Sequence, residues 1–236
     1  MSVLPKELRE QLVRICDLER EPEERVPTGW PEFDRAIGGG LARHGVHEWF
    51  ALGDRTALRL PPMGVLIELA WRALACEARD RRRRAVWIGR ACHPPAQALV
   101  KGLRGVIDGR RPQPDATLLD RSIFVDAHAP SERAWAIEQA VRCSGVFVVI
   151  ADGAGFDAAL SRRVQLAAAG QSLMLLARPE RERTARSVAM TRWLVEPCAD
   201  GADEDTALEW PWKVSLLRSK QGGADFSAST WSADRV

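Results

Sequence analysis

The chain has 236 residues and a formal net charge of +2 at pH 7, which suits one substantial domain with a small appendage. So small a charge creates no global field that would require nucleic-acid binding. The five cysteines are odd in number and scattered, and no secretory segment precedes them, so we expect reduced thiols in the cytoplasm and no metal site. The most apolar predicted helix, Pro62 to Arg79, carries charged side chains, so no membrane span is expected.

Residues 1–25 are predicted to form a separate element, an amphipathic helix followed by a polar linker. The helix is expected over Pro5 to Leu18, where apolar side chains recur at helical spacing, at Leu8, Leu12, Ile15 and Leu18. Glu19 to Arg25 is charged and contains a proline, as a linker would. Two interpretations stay open: the helix packs on its own domain, or it docks on another protein. Residues 26–236 are expected to form the main domain.

The main domain opens with a short helix, a glycine turn and a strand. Pro31 suits the first position of a helix from Trp30 to Ile37. Gly38-Gly39-Gly40 then allow positive φ angles and a tight reversal of the chain. Val46 to Leu52 is mostly apolar with little alternation, which is typical of a strand that is covered on both faces.

This opening carries a first resemblance. The residues that resemble the opening of the RecA-type recombinase ATPases are Thr28-Gly29, Asp34, Gly38-Gly39-Gly40-Leu41 and the strand that ends at Leu52-Gly53. In that family a phosphate-binding loop, G-x-x-x-x-G-K-[ST], comes next, and it holds phosphates and Mg²⁺. At the same spacing this chain has Gly53 followed by Leu58, Arg59 and Leu60.

The substitutions in this loop remove the chemistry of nucleotide binding. Leu58 replaces the second glycine and resists positive φ, Arg59 falls at the lysine position, and Leu60 replaces the metal-binding hydroxyl. No Gly-Lys-Ser or Gly-Lys-Thr occurs elsewhere in the chain. We therefore expect a protein that is not an enzyme, without catalytic residues, cofactor or metal. A divergent loop that works through Arg59 is the competing interpretation.

Two further positions concern the same chemistry. After its second strand the RecA family has an acidic residue that orients the attacking water, but Gly89 to His93 contains no carboxylate. Within that segment Cys92-His93 offers two adjacent donors without further ligands, which is typical of structural residues rather than a metal site. Asp152 follows a strongly apolar strand at the family's second acidic position, and we expect it to cap the following loop or helix.

Strands and helices are predicted to alternate through the rest of the main domain. After Val46 to Leu52, strands are expected over Ala85 to Ile88, Ser122 to Ala127, Val146 to Ala151, Ser172 to Ala177 and Trp193 to Val195. Helices are expected over Met63 to Cys76, Pro94 to Leu103, a segment capped by Ser131, and Leu160 to Ala169. In the segment capped by Ser131, the residues expected to face inward are Ala134, Trp135, Ile137, Ala140 and Val141.

This alternation predicts an α/β fold. The expected architecture is a RecA-like, mostly parallel central sheet flanked by helices, with the N-terminal helix and a C-terminal antiparallel hairpin. The hairpin is predicted over Glu209 to Arg218 and Asp225 to Ser232. In RecA-like folds the core strands lie in the order 3-2-4-5-1, with later strands added beside the first.

Two groups of arginines are candidate contacts for DNA or a protein partner. The first is Arg81, Arg82, Arg83 and Arg84, for which a solvated turn is the simpler interpretation. The second is Arg181, Arg183 and Arg186, in a stretch that corresponds roughly to a DNA-contacting loop of RecA. Intervening glutamates weaken the case for DNA there.

From Val26 to its C-terminus the chain resembles the ImuA family, the RecA/SulA-like component of the bacterial SOS mutasome. The stretches that carry this resemblance are VPTGWPEFDRAIGGGL, HEW in the first strand, SIFVDAHAPSERAWAIEQAVR, RRVQLAAA, Thr191-Arg192-Trp193 and the late strand WKVSLLR with its Gly-Gly turn. Phe33 and Ile37 depart from the leucines usual there.

The resemblance implies an adaptor in SOS-induced, error-prone translesion DNA synthesis. Such an adaptor would bind ImuB, a polymerase-like protein without catalysis, and support an error-prone polymerase. RecA is a further expected partner, and self-association and direct DNA contact are left open. The alternatives are a cell-division inhibitor like SulA, which would bind a tubulin-like protein, and a divergent RecA-type ATPase.

Overall fold

The protein is built around a mixed β-sheet with helices on both faces. The computed structural model describes residues 24–52, 62–76, 82–100, 117–168, 172–197, 212–220 and 229–230. The strands are β1 (Arg25–Val26), β2 (Leu41–Ala42), β3 (Gly45–Ala51), β4 (Arg84–Ile88), β5 (Ser122–Val125), β6 (Val146–Asp152), β7 (Leu173–Pro179), β8 (Thr191–Pro197), β9 (Trp212–Ser219) and β10 (Ser229–Thr230). The helices are α1 (Pro31–Ala36), α2 (Met63–Cys76), α3 (Ala96–Val100), α4 (Pro130–Arg142) and α5 (Ala158–Ala167).

The strand order confirms the predicted fold class. In the main sheet the order is β5-β4-β6-β7-β3-β8-β9, with the two-residue β10 at the far edge. Pairs from β5 to β8 are parallel, whereas β8-β9 and β9-β10 are antiparallel. Taken in chain order, the first five core strands therefore lie 3-2-4-5-1, with the later strands beside the first. The predicted C-terminal hairpin is formed by β9 and β10.

Three central strands are covered on both faces, as their apolar sequences predicted. In β3, β6 and β7 all but the last residue is buried. Residues on one face pack with α1 and α2, and here the ring of Trp49 stacks on that of Trp193 with centroids 5.2 Å apart. Residues on the other face pack with α4 and α5. We call these the α2 face and the α4–α5 face.

The glycine turn joins α1 to β2, and together with β1 these elements form a small unit beside the main sheet. Asp34 in α1 accepts hydrogen bonds from the Thr28 backbone N–H at 2.8 Å and from the Thr28 hydroxyl at 2.7 Å. Gly40 has a φ of 132°, and a Cβ there would lie 2.5 Å from the Val26 carbonyl oxygen, so only glycine fits. Two-residue strands β1 and β2, which were not predicted, pair across this turn.

Two predictions for α4 are wrong. The helix begins at Pro130 with Ala129 at its N-cap, so Ser131 is not the cap. Proline needs no N–H partner at this position, and the Glu132 carboxylate accepts from the N–H groups of His128 and Ala129 at 3.0 Å. Trp135, expected to face inward, has 59% of its surface exposed, because it lies on the side of the helix away from the sheet.

Some predictions fall on residues outside the described ranges. These include the N-terminal helix, the positions Gly53, Leu58, Arg59, Leu60 and Arg81, residues 101–103 of a predicted helix, and residues 209–211, 225–228 and 231–232 of the predicted hairpin. None of the helices in the described ranges combines the length and the apolar character that a membrane crossing requires.

Candidate functional site

Asp152 and Gly89, two positions considered in the sequence analysis, lie close together at the carboxyl edge of the parallel strands. Asp152 is the last residue of β6, and Gly89 follows the neighbouring strand β4. Oδ1 of Asp152 accepts a hydrogen bond from the Ala154 N–H at 2.8 Å, so this side chain caps the loop after its strand, one of the two roles predicted. The next helix, α5, has its own cap, because Asp157 accepts from the Leu160 N–H at 2.8 Å.

Arg133 fills the space beside Asp152. This arginine comes from the first turns of α4 and is buried, with 7% of its surface exposed. Its Nε donates to the Asp152 carbonyl oxygen at 2.8 Å, and its two Nη atoms donate to the carbonyl oxygens of His128 and Ala154. Nε also lies 3.7 Å from Oδ2 of Asp152. The chain therefore places a fixed internal cation beside the Asp152 carboxylate.

Gly89, which follows β4, packs closely against Arg133 and Asp152. Its φ is 87°, and a Cβ added there would lie 2.9 Å from Cδ of Arg133 and 3.0 Å from Cβ of Asp152. A side chain at this position would be strained and would displace its neighbours. No carboxylate can therefore be supplied from position 89, which agrees with the sequence from Gly89 to His93.

The next acidic group along this edge points to the surface and is already paired. Arg90 donates to both carboxylate oxygens of Asp126 at 3.0 to 3.1 Å. These hydrogen bonds hold the pKa of Asp126 below its usual range. Asp126 is thus a surface ion-pair partner of Arg90.

Cys92 and His93 each have their own contacts within the fold. The thiol of Cys92 is fully buried, and burial together with the nearby charge of Asp152 raises its pKa, which keeps it protonated. His93 instead lies with Nε2 3.3 Å from the Val125 carbonyl oxygen and its ring edge-on to Phe124. Across the part of the chain that the structure describes, no group of three or more His, Cys, Asp or Glu residues could hold a metal ion.

The two arginine groups lie at opposite edges of the sheet. Arg82, Arg83 and Arg84 lie at the amino end of β4, where Arg82 is exposed and the other two are half-buried. Arg181, Arg183 and Arg186 are all exposed and follow the carboxyl end of β7. Two of these pair with glutamates, Arg181 with Glu182 at 3.8 Å and Arg183 with Glu180 at 3.4 Å. The structure therefore does not join the two groups into one cationic surface.

A buried ionic network on the α4–α5 face was not predicted. The Glu48 carboxylate accepts from Arg178 Nη1 at 3.0 Å and from Arg192 Nε at 2.7 Å. Arg178 Nη2 donates in turn to Glu182 at 2.8 Å, and the guanidinium of Arg192 lies 4.9 Å from the ring centroid of Phe50. The sequence indicates such a network only through Glu48, a charged residue inside an otherwise apolar strand. Its two partners, however, lie 130 and 144 positions further along the chain.

His47, the residue before Glu48 in β3, faces α2 and belongs to a chain of hydrogen bonds between neutral groups. His47 Nε2 lies 2.8 Å from the Ala42 carbonyl oxygen, and Nδ1 lies 2.7 Å from the Thr191 hydroxyl. Since a carbonyl only accepts, we assign the ring proton to Nε2 and let the Thr191 hydroxyl donate to Nδ1. The same hydroxyl accepts from Trp193 Nε1 at 2.6 Å. Burial is the main reason that the pKa of His47 is lowered to about 4.

Comparison with known proteins adds no relative to these observations. A scan against protein-family models finds no match, and a search of curated proteins finds none. The function must therefore be inferred from the fold and from the carboxyl edge of the sheet. There the structure offers a capped carboxylate, a buried arginine and a glycine that excludes a side chain.

Proposed function

We propose that this protein is a non-catalytic, RecA-like adaptor in SOS-induced, error-prone translesion DNA synthesis. In this role it binds a polymerase-like partner of the ImuB type and supports an error-prone polymerase. The observation that carries the proposal is the contact of Arg133 with Asp152. It supports a RecA-type scaffold whose metal and nucleotide chemistry has been replaced by internal packing.

The physical argument concerns charge at the carboxyl edge. A Mg²⁺ ion held by a carboxylate demands oxygen ligands in near-octahedral geometry. A guanidinium 3.7 Å from Oδ2 of Asp152 repels a second cation, and its three hydrogen bonds to carbonyl oxygens keep it in place. Removing Arg133 from this position would leave three carbonyl oxygens without their donor, so the arrangement resists displacement by a metal ion.

The remaining partners belong to the same hypothesis. RecA is proposed as a further partner, and the exposed Arg181, Arg183 and Arg186 are proposed as contacts for DNA. The sheet edge at β10 is a surface on which a partner strand or a second copy could pair. The cytoplasm is the proposed location, supported by free thiols at Cys92 and Cys143.

The adaptor role is tested by binding to the polymerase-like protein of the same organism. Purified full-length chain and partner are mixed at micromolar concentration and analysed by size-exclusion chromatography with light scattering. We expect co-elution, and we expect no effect of stoichiometric chain on the assembly of a tubulin-like protein. Absence of a complex would count against the proposal, and blocked tubulin-like assembly would favour the SulA-like alternative.

The non-catalytic part is tested by melting the chain with and without ATP and Mg²⁺. A ligand at 100 times its dissociation constant adds about 2.7 kcal/mol to the free energy of unfolding, which moves a melting temperature by several degrees. We expect no ATP-dependent shift. A clear shift that requires Mg²⁺ would contradict the proposal and favour the divergent ATPase.

A further inference from the structure

A cleft runs between α4 and α5 on the outer side of the α4–α5 face. It encloses about 510 Å³ and is lined by side chains of both helices, including Glu138, Arg142, Arg162, Arg163 and Leu166. Glu138 and Arg163 form an ion pair across it, with Nη2 2.7 Å from Oε2. We call this surface the α4–α5 cleft.

Two large apolar side chains project beside the cleft, one from each helix. Trp135 of α4 is 59% exposed and Leu166 of α5 is 68% exposed, more than any other large hydrophobic residue of the described ranges. Both helices link parallel strands, so they run in the same direction. Trp135 lies one turn before Glu138, and Leu166 lies one turn after its partner Arg163. The two apolar side chains are therefore separated by about 9 Å along the helix axes.

Two arginines give the cleft a positive charge. Arg142 and Arg162 are exposed, and neither takes part in an ion pair or a side-chain hydrogen bond among the described residues. The ion pair across the cleft compensates its own charges, so these two arginines are left over. Arg142 follows Trp135 by two turns on α4, and Arg162 precedes Leu166 by one turn on α5. The apolar side chains thus mark one diagonal of the cleft, with an arginine on either side of it.

This arrangement matches an amphipathic helix in size and in charge. Helices that pack in this way have axes about 9 Å apart, so Trp135 and Leu166 are about 13 Å apart across the diagonal. That distance corresponds to roughly two and a half turns of an incoming helix. Its apolar stripe would cover the diagonal, and acidic side chains beside the stripe would meet Arg142 and Arg162. Because these charges are exposed, they contribute more to the choice of partner than to affinity.

We propose that the α4–α5 cleft binds an acidic amphipathic helix of another protein. A second copy of this chain fits less well, because a two-fold contact would bring the arginines of both copies together. A nucleic acid also fits less well, since its phosphates would meet the Glu138 carboxylate within the cleft. Any protein that presents such a helix can bind here, whether or not the chain supports translesion synthesis.

The test uses the full-length chain and a labelled synthetic peptide of about 15 residues that is designed as a helix. The peptide has leucines in one stripe and glutamates on both sides of it. One control peptide has lysines in place of the glutamates, and another has the original composition in scrambled order. We expect fluorescence anisotropy to show roughly tenfold tighter binding of the acidic peptide at low salt, and a smaller margin over the lysine peptide at high salt. Equal affinities for the three peptides would overturn the proposal.

Charge reversal in the chain is the matched experiment. Arg142→Glu combined with Arg162→Glu should invert the preference, so that the lysine peptide binds more tightly than the acidic one. Arg35→Glu makes the same change at an exposed arginine of α1, which packs on the α2 face, and should leave the preference unchanged. An inverted preference is a gain of binding that a misfolded variant would not show. An unchanged preference in the double variant would contradict the proposed site.

The apolar contact is tested by Leu166→Asp. Because this side chain is exposed, we expect an unchanged melting temperature and roughly tenfold weaker binding of the acidic peptide. Val100→Asp, at an exposed residue of α3, is the control and should bind as the unaltered chain does. A dimer of the unaltered chain that Leu166→Asp dissociates would assign the cleft to a second copy instead. Displacement of the peptide by a single-stranded oligonucleotide would assign it to nucleic acid, and either result would overturn the proposal.

Discussion

Two neighbouring residues of β3 show two ways in which a protein can bury polar groups. His47 faces α2 and joins a neutral chain with Thr191, Trp193 and the Ala42 carbonyl oxygen. Glu48 faces α4 and α5 and joins an ionic network with two arginines. Both sites connect β3 to β8, and both residues are at most 1% exposed.

The two sites differ in the change that destabilises them. In the neutral chain every proton has one donor and one acceptor, so one added proton disrupts it. In the ionic network Glu48 compensates two positive charges, so loss of its charge removes the carboxylate that Arg192 contacts and leaves Arg178 with Glu182 alone. The α2 face should therefore respond to pH, and the α4–α5 face should respond to charge removal.

The largest effect is expected for Glu48→Gln. The substitution keeps the size of the side chain but removes the negative charge between Arg178 and Arg192, and breaking a buried pair in this way costs about 3–5 kcal/mol. The free energy of unfolding is measured by urea denaturation, with the exposed Glu32→Gln as control. A loss below about 1 kcal/mol would show that the network does not stabilise the fold.

The second effect is a loss of stability in mild acid. The pKa of His47 is about 4 in the folded protein and 6.5 in the reference state, so between these values the unfolded chain binds a proton that the folded chain does not. The stability contributed by neutral His47 is complete above pH 6.5 and falls as the pH drops to about 4, by about 3 kcal/mol in total.

This pH dependence is measured by urea denaturation at several pH values. Other carboxylates titrate at the acid end, so the comparison is with His47→Gln, which has no ring to protonate. We expect the slope between pH 6.5 and 5 to be much smaller in the variant. Equal slopes in the two proteins would contradict the assignment of a buried neutral histidine.

The third effect is expected for Thr191→Val. Valine keeps the shape of threonine but leaves His47 Nδ1 without a donor and Trp193 Nε1 without an acceptor, which costs about 1–3 kcal/mol. Thr191→Ser is the matched control, because it keeps the hydroxyl and should lose less. If the serine variant were as unstable as the valine variant, packing of the methyl group would explain the effect instead of the hydrogen bonds.

The smallest effect is expected for Glu182→Gln. Glu182 is the outermost member of the ionic network, with 17% of its side chain exposed, and Arg178 keeps its bonds to Glu48 and to the Phe156 carbonyl oxygen. We expect a loss of under about 1 kcal/mol in the same urea experiment. A loss as large as that of Glu48→Gln would place the centre of the network at Glu182.

The buried strands were predictable because their sequences are almost continuously apolar. Val146 to Ala151 can only be covered on both faces, and the strand found there ends one residue later. The strand order was predicted from the resemblance to RecA-type proteins, since hydrophobic patterns do not specify which strands are neighbours. Strands β1 and β2 were missed because two residues are too few to show a pattern.

The candidate site was predicted only in part. The capping role of Asp152 follows from a carboxylate at a strand end, but Arg133 as its neighbour does not, because α4 could have been rotated about its axis. Trp135 shows the same limit: it was assigned to the inner side by its apolar character, and the structure places it outside. Pairings over long sequence distances, such as Glu48 with Arg178, depend on strand order and cannot be derived from local sequence.

The position of β3 in the sheet has a consequence for synthesis. Its two neighbours, β7 and β8, are made long after it, since their arginines lie 130 and 144 positions beyond Glu48. On the ribosome β3 therefore has neither of these neighbours to pair with until β7 has been synthesised, and the stack of Trp49 on Trp193 cannot form before β8 has been made. The centre of the sheet is thus completed only after both later strands have followed β3 out of the ribosome.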